Sequence, residues 1–426
     1  MKKNRRLTGI AAALAWIAMT ACGDLASHKI SLGEADGSFG DRGSYDDSGS
    51  PPSQNGGAGT LTAADWDDNL NFDHYLDYLT AFDVEYPEPP LPALPANDRI
   101  QVEIKDNLGL GARNATVTVR DSSGNILATL PTGSDGRTLY FPSLDGAAES
   151  YLVEATLGAM TAQATFASDA TAWSLQLDGS AASAAAPGLD LAFIVDVTGS
   201  MGDELQYLQT ELEWVVAQIA ANHAQLDLRL GLVAYRDIGD AFEVRSTPFT
   251  TTTDFDQFFA ALRLLRAGGG GDYPESVAEG LHAALDLEWR DTDTVRVAFL
   301  VGDAPPQAGR QLSTAAGAIR ARDRAIRIYP IAASGVSRVA EWAFRQLAQF
   351  TSARYLFLTD DSGIGNTHEE PHVPCYLVQK LNDLMLRVVE SELMGMWIYP
   401  AAEEIIRTAG EPADGQCLVD EQTYYY

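Results

Sequence analysis

The chain has 426 residues, 29 of them Lys or Arg and 59 Asp or Glu, for a formal charge of −30. That balance repels phosphate backbones and anionic headgroups, which excludes nucleic acid as a natural partner and reads otherwise as solvation of acidic loops. The length accommodates two to three domains plus linkers.

The first element is an export signal. Lys2, Lys3, Arg5 and Arg6 precede an apolar stretch from Leu7 to Ala21 that is too short to span a bilayer comfortably. It closes with Met19-Thr20-Ala21-Cys22, which resembles a bacterial lipobox, although Met19 stands where Leu is more usual. The resemblance implies removal of a signal peptide at 1–21 and acylation of Cys22. A plain signal peptide and a twin-arginine route through Arg5-Arg6 are the alternatives. No later stretch has the length and apolarity of a membrane-spanning helix, so acyl chains would be the only membrane attachment. The expected location is the bacterial cell envelope, lipid-anchored at the outer membrane or cell surface.

Residues 22–60 are rich in Gly, Ser, Asp and Pro and are expected to form a disordered, lipidated tether. Within 61–97, Asp65 to Asn69 lead into Phe72, Tyr75, Leu76 and Leu79, spaced for one side of a short docking helix. Pro87, Pro89, Pro90, Pro92 and Pro95 then make a stiff connector.

Over 98–178 the period changes to strand alternation, at Ile100, Val102 and Ile104, at Val117 and Val119, and at Trp173, Leu175 and Leu177. Turns at Asp121 to Gly124 and Ser134 to Gly136 separate these runs, giving a small all-β sandwich. The strand and turn order around Ala115 to Val119 and Thr132 to Arg137 resembles carboxypeptidase-regulatory-like sandwich domains, which implies a spacer or adhesion module without catalytic residues. A small-residue linker covers 182–187.

From 188 to 395 strands and helices alternate. Leu191 to Val195, Leu228 to Tyr235, Val295 to Val301, Ile326 to Ile331 and Tyr355 to Leu358 read as buried strands. Helical stretches fit Leu205 to Ile219, Phe255 to Leu265, Val339 to Ala348 and Tyr376 to Leu393. The expected fold class is α/β, a doubly wound, mostly parallel, Rossmann-like sheet preceded by the sandwich and the tether. Residues 396–426 form a C-terminal tail, with Cys375 and Cys417 a possible disulfide in an oxidising compartment.

Open α/β sheets bind ligands at the carboxyl ends of their strands, and three such loops here carry oxygen donors. Asp196, Thr198 and Ser200 follow the first strand. Gly268 to Gly271 lead to Asp272, Tyr273, Pro274 and Glu275, and Asp303 follows the third strand. This set resembles the metal-ion-dependent adhesion site of von Willebrand factor type A domains over 188–395. The resemblance implies that Asp196, Thr198, Ser200, Asp272 and Asp303 hold one divalent cation, Mg²⁺ or Ca²⁺, that in turn accepts a protein ligand. Many family members place a neutral Thr where Asp272 stands, so the ion here should be held more firmly and attract an incoming acid less. Asp203 and Asp237 lie near the same edge as expected capping or solvated acids.

A His368-Glu369-x-x-His372 match suggests a zinc hydrolase, but Pro371 interrupts the helical turn that the chemistry needs. A phosphatase loop fails because no second Asp lies two residues after Asp196, and no phosphate-cradling Gly-x-x-x-x-Gly-Lys loop occurs. The expected function is metal-dependent protein binding or adhesion by a non-enzyme. An envelope scaffold with a purely structural cation is the alternative, and sensing through the last helix is a third reading.

Overall fold

The computed structural model describes residues 58–180, 188–251, 255–271, 273–364, 371–413, 415–419 and 421–426. The expectations for the signal peptide, for Cys22 and for the tether up to residue 57 lie outside the described residues. In chain order the first elements are β1 (Thr62–Trp66) and α1 (Phe72–Glu85). Seven strands follow, β2 (Ile100–Lys105), β3 (Thr116–Arg120), β4 (Ile126–Pro131), β5 (Arg137–Tyr140), β6 (Ser150–Leu157), β7 (Met160–Ala167) and β8 (Ala172–Gln176), with the short α2 (Pro142–Asp145) after β5. The larger part comprises β9 (Gly188–Asp196), α3 (Leu205–Asn222), β10 (Asp227–Tyr235), β11 (Val244–Thr251), α4 (Phe255–Arg263), α5 (Val277–Leu285) and β12 (Thr294–Gly302). It continues with α6 (Thr314–Arg322), β13 (Arg327–Ala332), α7 (Arg338–Phe350), β14 (Tyr355–Leu358), β15 (Tyr376–Lys380) and α8 (Leu381–Met394). Four short strands close the chain, β16 (Arg407–Ala409), β17 (Pro412–Ala413), β18 (Gln416–Val419) and β19 (Gln422–Tyr425).

Apolar runs too long to alternate must be covered on both faces, and β9, β12 and β13 are buried at every position. They lie inside a nine-stranded sheet of order β11-β10-β9-β12-β13-β14-β1-β15-β16, in which β10, β9, β12, β13 and β14 run parallel. Helices cover both faces: α3, α4 and α8 belong to one apolar cluster with Val215, Phe258 and Met385, and α5, α6 and α7 to another with Leu281, Ala318 and Phe344. One acid interrupts β9. Asp190 is fully buried, yet its two oxygens accept Arg229 Nε and Nη2 at 2.8 and 2.6 Å and Arg290 Nε and N at 2.9 and 2.8 Å, so its charge is matched within the chain.

The sequence does not announce β1. Thr-Ala-Ala-Asp-Trp carries little apolar bulk, but the strand is buried throughout between β14 and β15, antiparallel to both. Its polar groups are satisfied: the Thr62 hydroxyl donates to Thr359 O at 3.0 Å, and Asp65 pairs with Arg354 at 2.6 Å and Arg387 at 2.8 Å. Just upstream, Glu211 on α3 accepts the backbone N–H groups of Gly59, Thr60 and Leu61 at 2.7, 2.9 and 3.2 Å. The stretch 61–97 is thus woven into the doubly wound sheet and its helices. Tyr75, Tyr78 and Phe82 of α1 pack on α7, where Phe82 stacks on Trp342 at 4.7 Å, and Leu94 donates its N–H to Gln346 Oε1 at 2.9 Å. The pairing that fixes α1 is between Asp68 and Arg345, both buried and joined by bonds of 2.6 and 3.0 Å.

The expected single helix over Tyr376 to Leu393 is corrected in its first turn. Residues Tyr376–Lys380 are β15, and α8 begins at Leu381, because Tyr376, Leu377 and Val378 pair with β16 on one side while Lys380 and Gln379 pair with β1 on the other. The tail is ordered by this edge. Cys375 and Cys417 form a disulfide that spans 42 residues, and Tyr424 packs edge-on against His74 of α1 at 5.4 Å.

The sandwich comprises a four-stranded sheet, β4-β3-β6-β7, and a three-stranded one, β5-β2-β8, around Trp173, Tyr140 and Tyr151. It is docked on the large sheet by apolar and charged contacts. Phe141 stacks on Phe350 at 4.4 Å, Arg322 grips both oxygens of Asp145 at 2.8 Å, and Arg327 pairs with Asp135. Among the described residues, no helix is long and apolar enough to cross a membrane.

Removing Asp68 leaves the Arg345 guanidinium buried without its bidentate partner. Asp68→Ala is expected to lower unfolding free energy by about 3–5 kcal/mol, read from urea midpoints at unchanged slope; a shift inside the noise of a surface substitution would refute the pairing. Replacing Cys375 and Cys417 together by Ser should lower it by about 4 kcal/mol on the chain-entropy scale for a loop of this size. The same loss should follow addition of reductant to the wild type, and a wild type indifferent to reductant would count against the bond.

Candidate functional site

The site is built on the carboxyl ends of β9 and β12, adjacent parallel strands in the middle of the sheet. Asp196 is the last residue of β9, and the chain then turns sharply into a short 3-10 helix over Gly199–Asp203. Thr198 closes this turn: its N–H and its hydroxyl both donate to Asp196 Oδ1, at 2.8 and 2.6 Å. The Thr198 and Ser200 hydroxyls are 3.2 Å apart. Asp303 follows the neighbouring β12, and a hydrogen bond from Ser200 acts on its carboxyl. The structure therefore brings Asp196, Thr198, Ser200 and Asp303 together. Asp272 lies outside the described residues.

Burial dominates the electrostatics. It pushes the Asp196 carboxyl up to about 7, reinforced by the charge of Asp303 and opposed by the Thr198 bonds. Burial likewise raises Asp303 to about 6, against the bond from Ser200, with Glu204 and Asp203 adding repulsion. A third carboxyl, Glu275, is only 3% exposed and is pushed up to about 9 by burial and then by Asp196, Asp237, Asp303 and Asp240. The strongest charges that act on these three groups are other carboxylates. Asp196 Oδ2, Asp303 Oδ1 and Glu275 Oε2 are buried without a well-directed hydrogen bond, and the buried Tyr235 hydroxyl lies against Asp196. Buried oxygens in that condition cost free energy unless a positive charge meets them.

The glycine loop is stitched to the first loop from both sides. Gly268 N–H donates to Val197 O and Gly199 N–H to Gly269 O, each at 3.1 Å. Two glycines are required by space. At Gly302 a Cβ would stand 2.4 Å from the Tyr235 hydroxyl, and at Gly269, where φ is +82°, it would overlap the Asp240 carboxylate. Tyr273 pins the loop's far side by donating toward Asp303 O at 3.2 Å and Gly335 O at 3.0 Å, while accepting Ser337 N–H at 2.7 Å.

Of the two flanking acids, one departs from expectation. Asp203 is exposed, as a solvated acid should be, whereas Asp237 is 4% exposed and accepts Gln307 Nε2 at 2.8 Å. Sequence reasoning passed over Glu204, which is buried and takes Ser334 N–H at 3.2 Å, joining the first loop to the one after β13. It also missed Tyr235, Asp240 and Gln307, and quoted Glu275 without a role. Only Glu275 carried a usable signal, being an acid that closes a Gly-rich turn at the mouth of a helix. The others act through tertiary contacts.

His368 and Glu369 lie outside the described residues. His372 is described, and both ring nitrogens are engaged: Nδ1 faces Glu341 Oε2 at 2.6 Å and Nε2 faces Arg338 at 3.0 Å. Among the described residues, no three His, Cys, Asp or Glu side chains are grouped closely enough to hold a metal by themselves. The described donors at the β9 and β12 edge are two carboxylates and two hydroxyls, a hard-oxygen set of the kind that Mg²⁺ and Ca²⁺ prefer.

Residues 190–367 match the family model of the von Willebrand factor A domain. The alpha-protein kinase vwkA of Dictyostelium discoideum is 32% identical over 117 residues, which are 28% of this chain and 18% of that protein. The von Willebrand factor A domain-containing protein 7 of Homo sapiens is 31% identical over 121 residues, 28% of this chain and 12% of that protein. The chain thus spans less than a fifth of the length of these relatives. The solved structure of a conserved hypothetical protein, BatB from Bacteroides thetaiotaomicron, overlaps 48% of this chain and 98% of its own at 10% identity and a TM-score of 0.33, too loose a likeness to add to the fold. With the sheet order, the loop chemistry at its carboxyl edge and the family match in agreement, residues 190–367 of this chain are a von Willebrand factor A domain.

Proposed function

We propose that this chain is a non-enzymatic protein-binding or adhesion protein, and that it engages its partner through one divalent cation, Mg²⁺ or Ca²⁺, at the carboxyl edge of the A domain. The role in protein interaction follows from the domain, since such domains commonly mediate it. The observation that carries the cation is the pair Asp196 Oδ2 and Asp303 Oδ1, buried, without well-directed hydrogen bonds and surrounded by further acids. Asp196, Thr198, Ser200, Asp303 and Asp272 would hold the ion. When bound, it supplies a positive charge with an exchangeable coordination position that a partner's carboxylate can take. Thr198 fixes the orientation of Asp196, and the paired glycine-loop bonds fix the distance between the first two loops.

The cell-envelope reading is part of this proposal and rests on the Lys2 to Cys22 pattern. The fold adds a geometric consequence. Because β1 runs antiparallel to β14, its first residue lies at the carboxyl edge, where Glu211 in the second turn of α3 grips Gly59, Thr60 and Leu61. Chain upstream of residue 58 therefore enters the A domain at the same sheet edge that carries the cation loops. The scaffold reading, with a structural cation, shares the ion but not the exchangeable position.

The test is a titration of purified protein with Mg²⁺ and Ca²⁺. At a hundredfold excess over Kd, a bound ion should stabilise the wild type by about 2.7 kcal/mol and Asp196→Ala not at all. Absence of a shift in the wild type sinks the cation reading. An envelope partner recovered equally with cation and with chelator, from a protein that does bind the ion, would favour the scaffold.

A further inference from the structure

Asp240 does not belong to the set of donors that the strand ends bring together. It sits half-buried in the turn between β10 and β11, and its Oδ2 accepts two backbone N–H groups, Gly270 at 2.9 Å and Asp237 at 3.2 Å. The first of these belongs to the glycine loop, two residues before Asp272. Gly269 has φ +82°, and any side chain there would collide with the Asp240 carboxylate, so the loop backbone lies directly on this acid. On the opposite side the same loop is bonded to Val197 and Gly199 of the first cation loop. Two residues after Asp272, Pro274 O accepts Gln307 Nε2 at 2.6 Å, and that same nitrogen donates to Asp237 Oδ1 at 2.8 Å. Asp237 and Asp240 are themselves tied by Asp240 N–H donating to Asp237 O at 3.3 Å. The β10–β11 turn therefore holds the glycine loop on both sides of Asp272.

We propose that Asp240 is a positioning residue of the cation site, which sets the ion's affinity by fixing the glycine loop through Gly270 N–H and does not itself bind the ion. This rests on the cation reading above. A carboxylate is well suited to the task, since one oxygen can accept two N–H donors at once and charge-assisted bonds to backbone N–H are stronger than neutral ones. Second-shell partners of this kind orient metal ligands, and their loss ordinarily weakens metal binding by about 10–100-fold. The alternative is that Asp240 acts only as one more negative charge near the site.

The two roles separate on substitution. Asn keeps an oxygen that can accept Gly270 N–H but removes the charge, whereas Ala removes both. Titration of the full chain with Mn²⁺, followed by calorimetry, should show Asp240→Ala weakened about tenfold or more, with Asp240→Asn recovering most of that loss. The thermal midpoints of all three proteins in chelator should agree, which shows that the fold is intact. Equal weakening in the Asn and Ala variants would assign the effect to charge and overturn the proposal. So would an Ala variant that binds like wild type. A wild type that binds no Mn²⁺ overturns the cation reading itself, and the role of Asp240 with it.

Discussion

The arrangement of the A domain depends on carboxylates gathered at one sheet edge, with hydroxyls and further acids as their neighbours. Asp196 and Asp303 end adjacent parallel strands, and Glu275 closes the loop between them, so the sheet itself forces like charges into a buried corner. Elsewhere this chain matches its buried acids with care. Asp190 has two arginines, Asp65 has two, and Asp68 has Arg345. At the carboxyl edge the pattern reverses, and the strongest charges acting on the three acids come from further acids. Where Asp190, Asp65 and Asp68 meet arginines, this edge concentrates several acids, and the cation proposed above would supply the positive charge they lack.

The loops around that corner are held by hydrogen bonds to backbone as well as by the burial of Val197 and Met201 in the core. Thr198 binds Asp196, Glu204 binds the loop after β13, and Asp240 and Gln307 bind the glycine loop. Such contacts fix the positions of the oxygen-bearing side chains at the strand ends. The rigidity behind it comes from the sheet and from its unusual far edge, where β1 is inserted between β14 and β15 and the disulfide fastens the tail.

Much of this could be read from sequence because the signals were local. Leu191 to Val195 and Val295 to Val301 are continuous apolar runs, so the central strands could be placed by local pattern, and the resemblance to a known cation motif pointed to the oxygen donors that follow them. The strand β1 could not. Thr62 to Trp66 is a strand because partners some three hundred residues away satisfy its polar groups: Thr359 O accepts the Thr62 hydroxyl, and Arg354 and Arg387 donate to Asp65. Tyr376 to Lys380 misled for the opposite reason: its apolar residues continue smoothly into the period of α8, and only pairing with β1 and β16 makes them a strand. Asp237 looked like an ordinary capping or solvated acid, and Asp240 and Glu204 drew no notice, because nothing in their own neighbourhood announces the distant groups they meet.

The inserted strand also changes what the domain order along the chain means. Read linearly, the sandwich stands between the upstream chain and the A domain, as a spacer would. In the fold, residues 59–66 join the A domain sheet first, and the sandwich is a loop that leaves after the Pro-rich connector and returns at β9. Glu211 of α3 therefore holds residues 59–61 on the same helix that follows the cation loop, so the entry of β1 and the first oxygen donors share one element. The sandwich, bound through Arg322, Arg327 and Phe141, attaches to the sheet by separate contacts.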